Sequence, residues 1–104
     1  MKYPVTVFSN RGMKYAMLTL EEANQQFVVV DGLLVVQDIR PMTKEYAERT
    51  LAEECAALED AQEYIKLDLT KSQIIKTSAE ILITTFNIAV LREAQTYFLE
   101  LQNV

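Results

Sequence analysis

The run from Ile81 to Leu91, ILITTFNIAVL, contains no charged residue, and it constrains the fold more than any other stretch. Its flanks continue a helical pattern and predict a helix from Lys71 to about Gln102, about 48 Å long. A surface helix keeps its apolar residues in one stripe. Here they step around most of the circumference, so the sequence predicts a helix that is covered on several sides. The polar positions that remain are Thr84, Thr85 and Asn87.

The composition is that of a globular protein. Half of the 104 residues are apolar and 24% are charged, which is typical of a folded chain rather than a disordered one. We predict a single domain over 1–104, with a β-rich part at 1–42 and a helical hairpin at 43–104. The single cysteine, Cys55, excludes an internal disulfide and is interpreted as a small packing residue.

Two features of the sequence bear on where the protein acts. The N-terminal residues do not resemble a signal peptide, because they lack a sustained apolar core. The uncharged run is also shorter than the roughly 20 residues that a membrane-spanning helix needs. We therefore expect a cytoplasmic protein.

The first 25 residues predict a β-hairpin and one helical turn. Tyr3–Phe8 alternates as a strand does, with Pro4 near an edge or at the strand start. The next four residues, SNRG, are of types that favour a turn, and Met13–Leu18 can return as a second strand. Thr19 and Glu22 have the spacing of a capping box, which predicts a short helix that reaches about residue 25.

The clearest local signal is the segment 27–36. Two apolar runs, FVVV and LLVV, flank Asp31 and Gly32, which tolerate the positive φ angles of a two-residue hairpin turn. An antiparallel sheet with one face in water alternates apolar and polar residues, and these runs do not. We predict a hairpin covered on both faces, by the helices on one side and by a partner chain on the other.

Two long helices are predicted after the strands. Thr43 is a suitable N-cap for a helix from Lys44 to about Leu67. Thr70 and Gln73 form a second capping box, so we predict that the chain turns back there into an antiparallel helix over 71–102. The alternative is one continuous helix, because no glycine or proline interrupts the segment. The inner stripe of the first helix is predicted to be Leu51, Cys55, Leu58, Gln62, Ile65 and Leu69.

Together these elements predict an α+β fold: an antiparallel sheet of three or four strands followed by two long antiparallel helices. The apolar hairpin and the apolar helix both need more covering surface than one chain supplies. We therefore predict a homo-oligomer. Its interface is predicted at Leu82, Phe86, Ile88 and Val90.

The net charge of −5 is concentrated in one segment. Residues 44–68 hold eight acidic and three basic residues, whereas the segments before and after are balanced. Nucleic-acid binding relies on a basic patch, so we expect no direct nucleic-acid binding. The acidic helix would instead engage a basic protein partner or remain a solvated face. The candidate partner-binding residues are Glu53, Glu59, Asp60 and Glu63.

The residue types present exclude several chemistries. The chain has no histidine and one cysteine, which removes the commonest general base, thiolate metal sites and every Ser-His or Cys-His arrangement. Its two glycines cannot form a GxGxxG or GxxxxGK[ST] phosphate loop. We therefore predict a protein that is not an enzyme and that holds no metal or cofactor.

A small anionic, nucleotide-like ligand is the other candidate. Arginine forks suit phosphates, and tyrosine stacks on bases. If oligomer formation brought such residues together, a ligand could lie between subunits; otherwise these residues are surface charges, and Asn87 forms a hydrogen bond across a helix interface. The candidate ligand-binding residues are Asn10, Arg11, Lys14, Tyr15, Arg40, Thr84, Asn87 and Arg92.

In size, acidity and lack of catalytic groups, the chain resembles the small inhibitor proteins carried by phages and other mobile elements. The resemblance is one of composition and involves no motif. It favours a homo-oligomeric protein that blocks or scaffolds a protein partner. The alternatives are a sponge-like protein that sequesters a ligand in an inter-subunit pocket and a purely structural assembly subunit.

Overall fold

A computed structural model describes residues 1–9, 12–25, 27–30, 33–36 and 38–103, with the backbone alone at Ser9 and in the strands 27–30 and 33–36. The predicted α+β order, an antiparallel sheet followed by long helices, is confirmed. The elements in chain order are β1 (Lys2–Ser9), β2 (Gly12–Thr19), α1 (Leu20–Ala23), β3 (Phe27–Val30), β4 (Leu33–Val36), β5 (Asp38–Pro41), α2 (Lys44–Tyr64) and α3 (Lys71–Gln102).

The main sheet has three antiparallel strands in the order β2-β1-β5. Strand β1 is central, and Pro4 is tolerated in it because pairing with β5 begins only at Val5. Gly12, at the start of β2, has a φ angle of 115°, which L side chains rarely adopt. The third strand of this sheet is β5, which was not predicted from the sequence.

Strands β3 and β4 pair with each other in a separate two-stranded sheet, with Val30 opposite Leu33. The turn residues Asp31 and Gly32, on which the prediction of an Asp-Gly turn falls, lie outside the described residues.

Hydrogen-bonded caps start each helix where the sequence predicts. The Thr19 Oγ1 atom accepts from the backbone N–H of Glu22 at 3.2 Å, and the Glu22 carboxylate accepts from the Thr19 N–H at 3.0 Å, which completes the capping box of α1. The Thr43 Oγ1 atom accepts from the Tyr46 N–H at 3.1 Å and caps α2. These bonds satisfy backbone donors that a helix start leaves without an intrahelical partner.

The helical segment is two helices and not one. Helix α2 ends at Tyr64, three residues earlier than predicted, and Thr70 and Gln73 form the capping box of α3. The helices run antiparallel, because Ala47 packs in one cluster with Ala94 while Glu54 contacts Asn87. Most of the predicted stripe of α2 is half-buried, but Gln62 is exposed and Ala61 is half-buried in its place.

The core lies at one end of this helical hairpin, where it packs against the sheet. Its buried members are Tyr15, Met42, Ala47, Val90, Leu91 and Ala94. Alanines at positions 47 and 94 let the two helices approach closely. The α3 residues of this cluster all lie at or beyond Val90, so the N-terminal half of α3 contributes none of them.

The molecule is extended for its length. Its radius of gyration is 16.3 Å, whereas a compact domain of this length has about 13 Å. The principal extents of 47 × 45 × 16 Å describe a thin slab. Much of the chain therefore lies close to the surface.

Candidate functional site: the open face of helix α3

One side of α3 is apolar and exposed. Ile75, Leu82, Ile83 and Phe86 are 64%, 72%, 62% and 64% exposed. At about 100° per residue, Ile75, Leu82 and Phe86 lie within about 40° of one another around the helix. We define the α3 stripe as the exposed residues Ile75, Ala79, Leu82, Phe86 and Ala89.

The stripe follows the spacing of a helix-packing seam. Its residues are separated by four, three, four and three positions, as the a and d positions of a coiled coil are. The opposite side of α3 already packs within the protomer, because Thr77, Ile88 and Leu91 are buried there. Helix α3 therefore carries two packing faces, of which the protomer covers one.

The structure separates the four predicted interface residues into two pairs. Leu82 and Phe86 lie in the open stripe, whereas Ile88 and Val90 are only 6% and 9% exposed and belong to the protomer's own packing. Sequence reasoning did not select Ile75, Ala79 or Ala89. The signal that would have found them is the seven-residue spacing from Ile75 through Leu82 to Ala89.

A groove runs beside the stripe, between α3 and α2. It has a volume of about 410 Å³. Ala89 belongs both to the stripe and to the groove wall, so the two features form one continuous surface. The remaining wall residues are Cys55, Leu58, Glu59, Gln62, Thr85, Ile88 and Arg92.

The predicted acidic partner residues lie along α2, and one of them borders the groove. Glu53, Glu59, Asp60 and Glu63 are all exposed. Glu63 is in an ion pair with Lys66 at 3.2 Å, in which both side chains are mostly in water. Glu59 lines the α2–α3 groove, and Asp60 and Glu63 lie about 140–160° around the helix from the buried Ala47. Glu53 lies closer to the core, because its charge acts on Tyr15.

The described candidate ligand residues of the sheet differ in exposure, and Tyr15 and Arg40 flank Thr6 in the strand register. Asn10 and Arg11 lie outside the described residues. Lys14 is exposed, while Tyr15 is buried in the core. Arg40 forms an ion pair with Asp38 at 3.0 Å, and its guanidinium lies 5.1 Å from the ring centre of Phe8.

The candidate ligand residues of α3 are separate from those of the sheet. Asn87 is half-buried, and its Nδ2 atom donates to the Glu54 carboxylate at 3.3 Å. Thr84 is half-buried, and Arg92 is exposed on the wall of the groove. Arg40 lines a different hollow, near Thr6 and Tyr46, so the two arginines do not share one depression.

Tyr15 is the buried titratable group of the core. Burial, above all, raises its pKa far above the ordinary value of a tyrosine. The side chain of Tyr46 and the negative charges of Glu54 and Glu53 add to this effect. Tyr15 is therefore a neutral packing residue at physiological pH.

Two further properties of the described residues bear on function: whether they can hold a metal ion and whether a helix can cross a membrane. Within the part of the chain that the structure describes, no three His, Cys, Asp or Glu side chains come together as a metal site. By length and composition alone, α3 could cross a membrane: an 18-residue window has a mean hydropathy of 1.5 and is 17% buried. An apolar helix face that another protein covers passes the same test.

No protein-family model matches the chain, and no characterised protein or solved structure is significantly similar to it. Its function has to be argued from its own surfaces.

Proposed function

We propose that the chain is the subunit of a non-enzymatic homo-oligomer that blocks or scaffolds a protein partner. The copies assemble through the α3 stripe, and the assembly presents the acidic face of α2. The observation that carries the proposal is the exposure of Ile75, Leu82 and Phe86 in one stripe. Monomeric soluble proteins rarely expose a continuous apolar surface of this kind without a binding role.

The total surface supports the same conclusion. The protomer exposes 7705 Å², whereas a compact monomer of this mass exposes roughly 5,900 Å². A standard interface covers about 800 Å² on each partner. The protomer thus exposes more extra surface than one such interface would bury. A second copy can therefore be accommodated on it.

The acidic face of α2 stays accessible in such an assembly. Glu53, Asp60 and Glu63 are exposed, Asp60 and Glu63 lie across the helix from the buried Ala47, and the stripe belongs to a different helix. Carboxylates arranged in this way attract a basic protein surface and increase the rate at which it associates. This favours a basic protein partner over nucleic acid.

The assembly is tested by light scattering at micromolar concentration. We expect a dimer or larger oligomer from the unmodified chain, and a folded monomer from Leu82→Glu, because Leu82 is the most exposed residue of the stripe. The matched control is Leu20→Glu, at a position that is 65% exposed but lies on α1. An unmodified chain that remains monomeric would contradict the proposal.

The partner surface is tested by charge reversal at Glu53, Asp60 and Glu63. Proteins from host cells that are captured by the tagged chain should be lost with this variant and at high salt, because screening weakens contacts between exposed charges. The control reverses Glu21, Glu80 and Glu100, which keeps the total charge change equal. Capture that ignores both changes argues against the acidic surface, and a co-purified nucleotide-like molecule would favour the ligand-sequestering alternative.

A further inference from the structure

We infer that α3 pairs with α3 of a second copy in antiparallel orientation, about a two-fold axis that passes beside Leu82. This inference rests on the proposed homo-oligomer and adds the geometry of its interface. Three independent features of the stripe point to the same centre and the same direction.

The first feature is the symmetry of the apolar residues. Ile75 and Ala89 lie seven positions on either side of Leu82 in the chain. With a two-fold axis at Leu82, Ile75 faces Ala89 of the second copy, and Phe86 faces Ser78 of the second copy. Ile75 and Phe86 thus each meet a small side chain, which lets two helix faces interdigitate on either side of the Leu82 pair at the axis.

The second feature is the pair of charges that closes the stripe. Lys71 and Glu93 are both exposed and lie eleven positions before and after Leu82. Among the ion pairs of the described residues, neither takes part. An antiparallel pair places Lys71 beside Glu93 of the second copy at both ends. A parallel pair would instead place lysine beside lysine and glutamate beside glutamate, which is unfavourable.

The third feature is the groove between α2 and α3. Ala89 lines it, and Ala89 is the residue that faces Ile75 of the second copy. The groove has a volume of about 410 Å³, which leaves room for an aliphatic side chain beside Ala89. The two-fold axis therefore places Ile75 of one copy beside the groove of the other.

A second copy fits this face better than a lipid bilayer does. Lys76 and Glu80 lie between Ile75 and Leu82 in the chain, and both are exposed. In a membrane both charges would have to enter the apolar region, which is strongly unfavourable. In an antiparallel helix pair they lie to the side of the stripe and stay in water, because they are about 120–160° from Leu82 around the helix.

Cysteine cross-linking tests the direction of pairing. In a Cys55→Ala background, we would mix a tagged Ile75→Cys variant with an untagged Ala89→Cys variant and add a short bis-maleimide. The mixture should give a cross-linked heterodimer, whereas either variant alone should not. In the antiparallel pair, two copies of residue 75 lie about 21 Å apart along the helix axis. Leu82→Cys, at the axis, should cross-link with itself.

Charge exchange provides a second readout without new thiols. Lys71→Glu alone and Glu93→Lys alone should each raise the dissociation constant about fivefold, because each affects both ends of the pair. The double variant should restore it. A parallel arrangement would not show this restoration.

The outcomes separate the inference from the proposed function. An oligomer in which Ile75→Cys cross-links with itself overturns the antiparallel pairing alone. An oligomer that does not respond to any of these changes overturns the use of α3. An unmodified chain that is monomeric, or that floats with phosphatidylglycerol vesicles, overturns both the inference and the proposed homo-oligomer.

Discussion

At the scale of single residues, the contact between Asn87 and Glu54 explains a polar position inside the apolar run. The amide donates to the carboxylate across the two helices at 3.3 Å, in a partly buried setting. A buried polar group needs such a partner. The interpretation of Asn87 as a helix-interface residue thus has a concrete geometry, with a carboxylate from the charged segment as its acceptor.

Tyr15 gives a prediction about alkaline pH. The raised pKa means that the folded chain keeps a proton that the unfolded chain releases above about pH 10. Stability should therefore fall as the pH rises past 10, with a slope of about 1.4 kcal/mol per pH unit until the folded form also titrates. Urea unfolding at several pH values measures the slope.

The Tyr15→Phe variant should lose this part of the pH dependence. Its stability at neutral pH should change by no more than about 1 kcal/mol, because the ring stays in the core and only the hydroxyl is removed. The control is Tyr64→Phe, at a position that is 42% exposed. If both variants keep the same alkaline slope, Tyr15 is not its source.

At the scale of elements, the predictions that succeeded depended on local chemistry. A Thr and an acceptor three residues later are enough to place a helix start, as at Thr19 and Thr70. Strand β5 was missed for the opposite reason. Its pairing with β1 joins Val5 to Pro41, and no local pattern records a partner so distant in the chain.

The capping box at Thr70 gives a prediction for the whole of α3. Thr70→Ala removes the hydroxyl that accepts from the Gln73 N–H and should lower the free energy of unfolding by about 1 kcal/mol. Thermal or urea unfolding at one fixed protein concentration measures it. The control is Thr96→Ala, whose hydroxyl bonds within its own helix to the Arg92 carbonyl. Equal losses in the two variants would argue against a special role of the cap.

At the scale of the whole molecule, the sequence predicted that something must cover α3 but not which side was open. A periodic pattern reports that a residue is apolar, and it does not report which neighbour covers it. Ile88 and Leu82 look alike in the sequence, yet the protomer buries the first and leaves the second exposed. Only the packed hairpin distinguishes them.

Two leucines of α3 should respond differently to protein concentration. Leu91 is fully buried within the protomer, so Leu91→Ala should cost about 2–5 kcal/mol at any concentration. Leu82→Ala should cost little in dilute solution and more where copies assemble, because its side chain is exposed in the protomer. Melting temperatures over a hundredfold range of concentration would show the difference, and parallel behaviour of the two variants would contradict it.

The position of the core at one end of the helical hairpin has a consequence for the life of the protein in a cell. The turn between Tyr64 and Thr70 and the first turns of α3 lie away from the core cluster. Segments with few buried contacts open first, and proteases cut open segments first. In the homo-oligomer that we propose, a newly made copy that has not met another would be degraded faster than an assembled one. The amount of the protein would then depend on how often copies meet. If the rate of synthesis were halved, the amount of protein would fall by more than half.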